Sequence, residues 1–228
     1  MLILFKNMNV GDRTKQLEYD EDYYENGVVS KKSCYFNYHW MPELTFRMAF
    51  HMIRKLNIRE DDKLLDFGCA KGYLVKAFRF FDFECYGCDI SEYAINNLDA
   101  EVRKFCKQNS TEIMIPFQDL YFDWIVCKDV AEHFEEGELD RFLEQSRKKT
   151  KKMFVVVPLG ENNKYIAPEY AQDITHKLAK NVDWWRKKFE DNLWVVESID
   201  FGFKRLKENW TEKYPQSNGF FVLRSKSV

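Results

Sequence analysis

From Lys63 onward, short apolar runs of strand length alternate with stretches whose apolar residues recur at helical spacing. In order they are KLLDF, a helix through YLVKAFRFF, FECYGCD, a helix SEYAINNLDAEVRKFC, a short strand near EIMI, DWIVCKD, a helix GELDRFLEQSRKK, and KMFVVVP. Strands separated by single helices join through right-handed crossovers, which predicts a mostly parallel sheet covered on both faces. The end of the chain departs from this rule. DWWRKKFED reads as a helix, while LWVVESIDF and GFFVLRS are able to pair as antiparallel strands. At 228 residues the chain suffices for one well-buried core, because single cores stop growing near roughly 250 residues.

Ahead of the alternation, Pro42 stands at a first helical position, and Leu44, Met48, Met52 and Leu56 recur every four residues. That pattern predicts an amphipathic helix packed on the core. Before it, SCYFNYHW packs four aromatics and a histidine into one short segment. The segment reads equally well as a hydrophobic flap and as a substrate lid. The expected organisation is a cap and lid over residues 1–58 and a core over 59–228, within a single globular unit.

Charge narrows the partners. With 35 basic and 37 acidic residues the formal charge is -2, which gives no footprint for a nucleic-acid backbone or an anionic lipid surface. The run RKKTKK reads as a solvated helix end. The opening MLILFKNMNV is too short in apolar length for a signal peptide, and no segment is long enough to span a membrane. The six cysteines fall mostly in apolar contexts and read as reduced core thiols, so a cytoplasmic location is expected. Cys85 and Cys88 form a C-x-x-C, yet no second pair or nearby histidine completes a zinc site, and no metal site is predicted.

The stretch LLDFGCAKGYLVKAF, residues 64–78, spends two of nine glycines directly after an aspartate that ends a buried-looking strand. In an open α/β sheet, ligands sit beyond the carboxyl ends of the strands, where the first strand-to-helix turn gathers backbone amides. Gly68 lets the chain turn, Ala70 is small enough for close approach, and Gly72 opens the helix. Free amides there favour an anion. Asp66 repels a pyrophosphate but attracts an ammonium, so a ligand bearing both charges, an amino-acid moiety, suits the pair. Asp89, at the tip of the next strand, is placed to accept both hydroxyls of a ribose. The two sites together fit an aminoacyl group joined to a nucleoside.

LLDFGCAKGYL, YGCDISEYAI and FDWIVCKDVAEHF resemble, in order and spacing, the successive motifs of class I S-adenosylmethionine-dependent methyltransferases. The resemblance covers residues 60–160. It implies a doubly wound, mostly parallel seven-stranded sheet with an antiparallel C-terminal strand under an N-terminal helical and aromatic cap. It also implies S-adenosylmethionine as cofactor and S-adenosylhomocysteine as product. Carried over by position, Asp66, Phe67, Gly68, Cys69, Ala70 and Gly72 surround the methionine end, Asp89 holds the ribose, Ile90 packs on the adenine, and Lys128 offers backbone beside the methionine end. The family's usual first motif has glycine where this chain has Ala70. His133 and Asp129 are assigned structural roles.

The acceptor is read from the segments after the fourth and fifth strands. The Pro-Pro-Tyr type motif of amino-directed nucleic-acid methyltransferases and the Pro-Cys nucleophile of the cytosine class are both missing from CKDVAEH, which argues against base methylation. In the segment after the fifth strand, DITH resembles a D-x-T-H pattern of methyltransferases acting on sugars and other small hydroxylated metabolites. His176 is the expected general base, oriented by Asp173 one helical turn away; the competing readings have Asp173 cap the helix running through Trp184, or have the two residues help bind a divalent metal, as in some small-molecule O-methyltransferases that this segment resembles. Tyr38, His39, Trp40 and Tyr165 are the expected substrate contacts. The predicted activity is O-methylation of a small acceptor, a sugar or nucleotide sugar. N-methylation of a small amine, and a catalytically silent cofactor- or partner-binding module, are the alternatives, and homodimerisation is left open.

Overall fold

The structure is a computed structural model in which residues 15–226 are described; the reading of the first ten residues lies outside them. Seven strands form one sheet: β1 (Lys63–Phe67), β2 (Glu84–Asp89), β3 (Cys106–Gln108), β4 (Phe122–Lys128), β5 (Thr150–Pro158), β8 (Trp194–Asp200) and β9 (Asn218–Ser225). Their spatial order is β3-β2-β1-β4-β5-β9-β8. All the pairings from β3 to β5 are parallel, and β9 runs antiparallel to both β5 and β8. A small hairpin of β6 (Gly160–Glu161) and β7 (Lys164–Tyr165) follows β5. The predicted fold class is therefore the observed one.

The helices are α1 (Glu21–Glu25), α2 (Gly27–Ser30), α3 (Pro42–Leu56), α4 (Tyr73–Phe80), α5 (Glu92–Asn96), α6 (Glu136–Lys149), α7 (Val182–Asp191) and α8 (Glu208–Lys213). On one face of the sheet, α3 and α4 bury Met52, Leu56, Val75 and Phe78 against Leu64, Val126 and Phe154. On the other face, α6 and α7 bury Leu139, Phe142, Trp185 and Phe189 against Leu65, Ile125 and Val155. Such two-faced coverage explains why the strands read as continuous apolar runs rather than as alternating ones. Among the described residues, no helix is long and apolar enough to cross a membrane.

Three local expectations are corrected. Helix α3 begins at Pro42 as predicted, but its buried face is Thr45, Ala49, Met52 and Leu56, and Leu44 is exposed. A spacing of four drifts around a helix of 3.6 residues per turn. The third strand is Cys106–Gln108 rather than EIMI, whose Met114 and Ile115 enter the core from a loop. The long helix after β2 stops at Asn96, because the Asp99 carboxylate accepts the Glu101 backbone N–H at 3.0 Å and the Lys76 ammonium at 2.9 Å, and so holds a turn there.

Candidate active site

A cavity of about 740 Å³ opens beyond the carboxyl ends of β1, β2 and β4, with Asp66, Gly68, Ala70, Asp89, Asn109, Met114 and Lys128 on its walls. This is where an open α/β sheet changes winding direction and where ligands bind. Its volume lies in the range of small-molecule sites.

The turn between β1 and α4 is held by backbone bonds to the neighbouring strand. The N–H groups of Gly68 and Cys69 both donate to the Cys88 carbonyl, at 2.8 and 3.1 Å. Gly68, Ala70 and Gly72 all have positive φ, at 78°, 47° and 78°. At Gly68 a Cβ would lie 2.3 Å from Val130 Cγ2, so only glycine fits against that wall. Ala70 is held in its left-handed conformation by Asp89, whose Oδ2 accepts the Ala70 N–H at 2.7 Å while Oδ1 accepts the Ser91 N–H at 2.8 Å. A carboxylate has about four lone-pair sites, so after those two bonds Asp89 retains capacity towards the cavity. Burial raises the Asp89 carboxyl, and the amides of Ser91, Ala70 and Ile90 act against that.

Asp66 has a different environment. Burial pushes its carboxyl up to about 7, against the pull of Lys128. It is a buried acid on the cavity wall whose ionisation a ligand ammonium would favour. Asp66, Phe67, Gly68, Cys69, Ala70, Asp89, Ile90 and Lys128 all line the cavity. Gly72 instead caps α4 and packs its backbone towards Val102 and Leu98. The free amides expected from Gly68 to Ala70 are instead committed to Cys88 and Asp89, but the described residues fit S-adenosylmethionine in three other respects: an acid for the ammonium, a turn of small residues that permits close approach, and a second acid with spare acceptor sites for the ribose.

The opposite wall is tyrosine. Tyr19, Tyr23, Tyr24, Tyr35 and Tyr38 line it, with His39 at its rim. Edge-on and stacked contacts join these rings, as between Tyr23 and Tyr24 at 5.1 Å and Tyr35 and Tyr38 at 5.0 Å. Lys71 ties this cap to the glycine turn, reaching the Glu25 carboxylate at 2.5 Å and the Tyr38 carbonyl at 2.9 Å. Tyr93 donates to the same Glu25 oxygen at 3.0 Å. Trp40 lies off the cavity wall, packed on Phe46 and Tyr73. Tyr19, Tyr23 and Tyr24 were missed in the sequence; the density of tyrosines in YDEDYY is the signal that was there.

The third wall holds the titratable groups. Beyond β4, Asp129 adopts φ 56° and is clasped by Lys128 at 2.5 Å and by Lys207. Burial alone would raise its carboxyl, yet the two ammonium groups hold it well below the usual carboxylate range. His133 lines the cavity, with its Nδ1 2.8 Å from Thr175 Oγ1. Thr175 in turn donates its hydroxyl to Asp173 Oδ1 at 2.6 Å, and Tyr23 donates to Asp173 Oδ2 at 2.9 Å. With the threonine proton committed to Asp173, the network assigns N–H to His133 Nδ1 and leaves a lone pair on Nε2. Burial, with His176 beside it, lowers the His133 imidazole to about 3.

The Asp173–His176 pair differs from expectation. His176 donates Nδ1–H to the Tyr170 carbonyl at 2.8 Å, its Nε2 stands 3.9 Å from Asp173, and it is not on the cavity wall. Asp173 follows a 3₁₀ turn, Pro168–Gln172, so the two residues do not share a helix face. Nor does Asp173 cap α7, whose first turn is capped by Asn181 accepting from Trp184 N–H at 2.9 Å. Asp173 therefore orients His133 through Thr175. Tyr165 also stands back from the cavity, its ring 5.4 Å from that of His176. Behind His133 lies Glu132, 1% exposed, its carboxyl raised to about 8 by burial and by Asp129.

A family model described as Methyltransferase domain matches residues 40–198. An uncharacterized methyltransferase of Bacillus subtilis, YcgJ, is 24% identical over 164 residues, covering 65% of this chain and 63% of that protein. An uncharacterized protein of Methanocaldococcus jannaschii is 28% identical, with 69% of each chain covered. Among solved structures, one in the complex of the Haloferax volcanii Trm112 methyltransferase activator with a putative methyltransferase superposes with a TM-score of 0.63 at 16% identity, over 82% of this chain and 92% of that one. A SAM-dependent methyltransferase from Archaeoglobus fulgidus gives 0.62 at 15% identity, over 78% and 93%. At such identities the structural likeness establishes the fold. The glycine turn, the two strand-tip acids and the family match lead to one conclusion: the chain belongs to the methyltransferase-domain family, whose methyl donor is S-adenosylmethionine and whose product is S-adenosylhomocysteine.

Proposed function

We propose that the protein transfers a methyl group from S-adenosylmethionine to a hydroxyl of a small metabolite, with a sugar or nucleotide sugar as the acceptor class. In this reading Asp66 takes the donor's ammonium, the turn from Gly68 to Ala70 lets its methionine end approach the backbone closely, Asp89 takes both ribose hydroxyls, and Ile90 packs on the adenine. The donor supplies an already activated sulfonium methyl. The protein's task is then to align the acceptor oxygen and draw off its proton.

The observation that carries the reading is His133, an imidazole on the cavity wall whose Nδ1 is engaged by Thr175. Its Nε2 lone pair is available to an acceptor hydroxyl, with Thr175 and Asp173 fixing the ring as the third member of a triad does. Burial keeps the imidazole neutral at physiological pH, with a lone pair to accept a hydrogen bond from the acceptor hydroxyl, and an acceptor that displaces water and brings charge beside the ring sets how basic it becomes. The tyrosine wall supplies ring faces and hydroxyls for a polyhydroxylated ligand. Lys128 and Lys207 are already committed to Asp129, which favours an uncharged reacting group at this end. The test is turnover with S-adenosylmethionine on a panel of sugars, nucleotide sugars, phenols and small amines, with the methylated atom located by NMR. Methylation of a sugar oxygen is expected; exclusive methylation of amine nitrogen would overturn the reading.

A further inference from the structure

We infer that Glu132, His133 and His176 form a binding site for a divalent transition ion of the zinc, cobalt and manganese class, placed behind the wall that receives the acceptor; the inference rests on the reading of that wall as the acceptor end. One ligand atom from each of the three residues lies within 4.8 Å of the other two. The two imidazole rings meet edge to face, with centroids 4.6 Å apart.

The hydrogen bonds around the cluster are those of ligating groups. His133 Nδ1 is engaged by Thr175 at 2.8 Å, and His176 Nδ1 by the Tyr170 carbonyl at 2.8 Å. Each ring thus spends one nitrogen on an outer partner and keeps a lone pair on the other. A metal-bound histidine is oriented in this way. Thr175 is itself held by Asp173 at 2.6 Å, which gives His133 a hydroxyl and a carboxylate in series behind it.

Glu132 supplies the independent observation. It is 1% exposed, and its Oε2 meets no hydrogen-bond partner among the described residues. Its Oε1 stands 4.0 Å from His176 Nε2, too far for a hydrogen bond. A fully buried carboxyl oxygen without a partner is costly, and direct bonds within the cluster do not satisfy it. An ion with ligand bonds of roughly 2.0–2.2 Å holds tetrahedral donors roughly 3.3–3.6 Å apart, so the three side chains, with Glu132 Oε1 and His176 Nε2 at 4.0 Å, would draw in by a few tenths of an ångström to bind one. Two imidazoles with one carboxylate suit zinc, cobalt and manganese better than magnesium or calcium, which prefer oxygen donors throughout. His133 Nε2 has one lone pair, for an ion or for a proton and not for both, so with the ion bound its open position, beside His133 on the cavity side, would take the acceptor oxygen in place of direct proton transfer to the ring.

The probe is cobalt(II), added to chelator-stripped protein and followed by its visible absorption and by calorimetry. One ion per chain is expected, without the near-ultraviolet band of thiolate ligation, since the exposed Cys34 is the competing donor. His176→Ala and Glu132→Gln should each weaken binding by about tenfold or more. Thr175→Val, which keeps the volume and leaves all three ligands in place, should weaken it less. No cobalt binding at millimolar concentration, a thiolate band, or unchanged affinity in folded His176→Ala protein would overturn the site. Turnover separates this inference from the reading on which it rests. Undiminished sugar methylation by stripped protein that binds no cobalt leaves the acceptor reading standing and removes the ion. Cobalt bound at these residues, with amine nitrogen as the exclusive acceptor, keeps the ion and removes the acceptor reading.

Discussion

Asp66 gives the cofactor pocket a pH dependence whose sign and size are set by burial. Its carboxyl is raised to about 7 in the ligand-free protein, and a ligand ammonium beside it would favour the ionised form. Affinity for S-adenosylhomocysteine should then be complete above pH 7 and fall as the pH drops through 7, by about tenfold for each unit below. Calorimetry at pH 8, 7 and 6, in buffers of differing ionisation heat, measures both the affinity and the proton released on binding. The wild type should lose about tenfold between pH 8 and 6, and Asp66→Asn should bind weakly with no such slope. The same shift works on folding in the opposite direction. The unfolded chain releases this proton near pH 4 and the folded protein only near 7, so stability falls as the pH rises between the two. Asp66→Asn should therefore stabilise the ligand-free protein at pH 8, by up to about 4 kcal/mol. Equal wild-type affinity at pH 6 and 8, with no proton released, would refute the reasoning.

With an acceptor in hand, His133→Ala should lower kcat by about a hundredfold or more while S-adenosylhomocysteine affinity stays near that of wild type, as steady-state kinetics and calorimetry together will show. If residues 34–41 act as a lid, hydrogen exchange there should slow when product cofactor and acceptor are both bound; no added protection would reduce the segment to packing. Gly68→Ala sets a methyl 2.3 Å from Val130 Cγ2 at a φ of 78°, and should cost about 1–3 kcal/mol in denaturant unfolding. Val130→Ala in the same chain should recover the steric part of that loss but not the backbone strain.

The sheet was legible because its two-sided burial writes itself as unbroken apolar strands, and the glycine turn because positive φ at Gly68 and Gly72 demands that residue type. Strand β3 was not legible. Its three residues, Cys106–Gln108, have no apolar pattern, whereas Met114 and Ile115 look like a strand and are buried loop residues. The titratable wall was half legible. DITH stood out as a unit, but its chemistry runs through Thr175 to His133, which lies 42 positions away. Only the parallel placement of β4 beside β5 brings the two segments together, and no local spacing encodes that. The tyrosine wall comes from a segment without a sustained helical or strand period, and long-range bonds such as Lys71–Glu25 and Tyr23–Asp173 hold it over the cavity.

The most direct test of the account is calorimetric titration of S-adenosylhomocysteine into wild-type and Asp89→Ala protein, with thermal unfolding to confirm that the variant is folded. Asp89 both fixes the turn at Ala70 and faces the cavity with acceptor sites to spare. Hydrogen bonds to a charged group are worth about 1.5–3 kcal/mol, so the variant should bind about ten- to a hundredfold more weakly. Unchanged affinity in a folded Asp89→Ala protein would contradict the placement of the nucleoside at this strand tip.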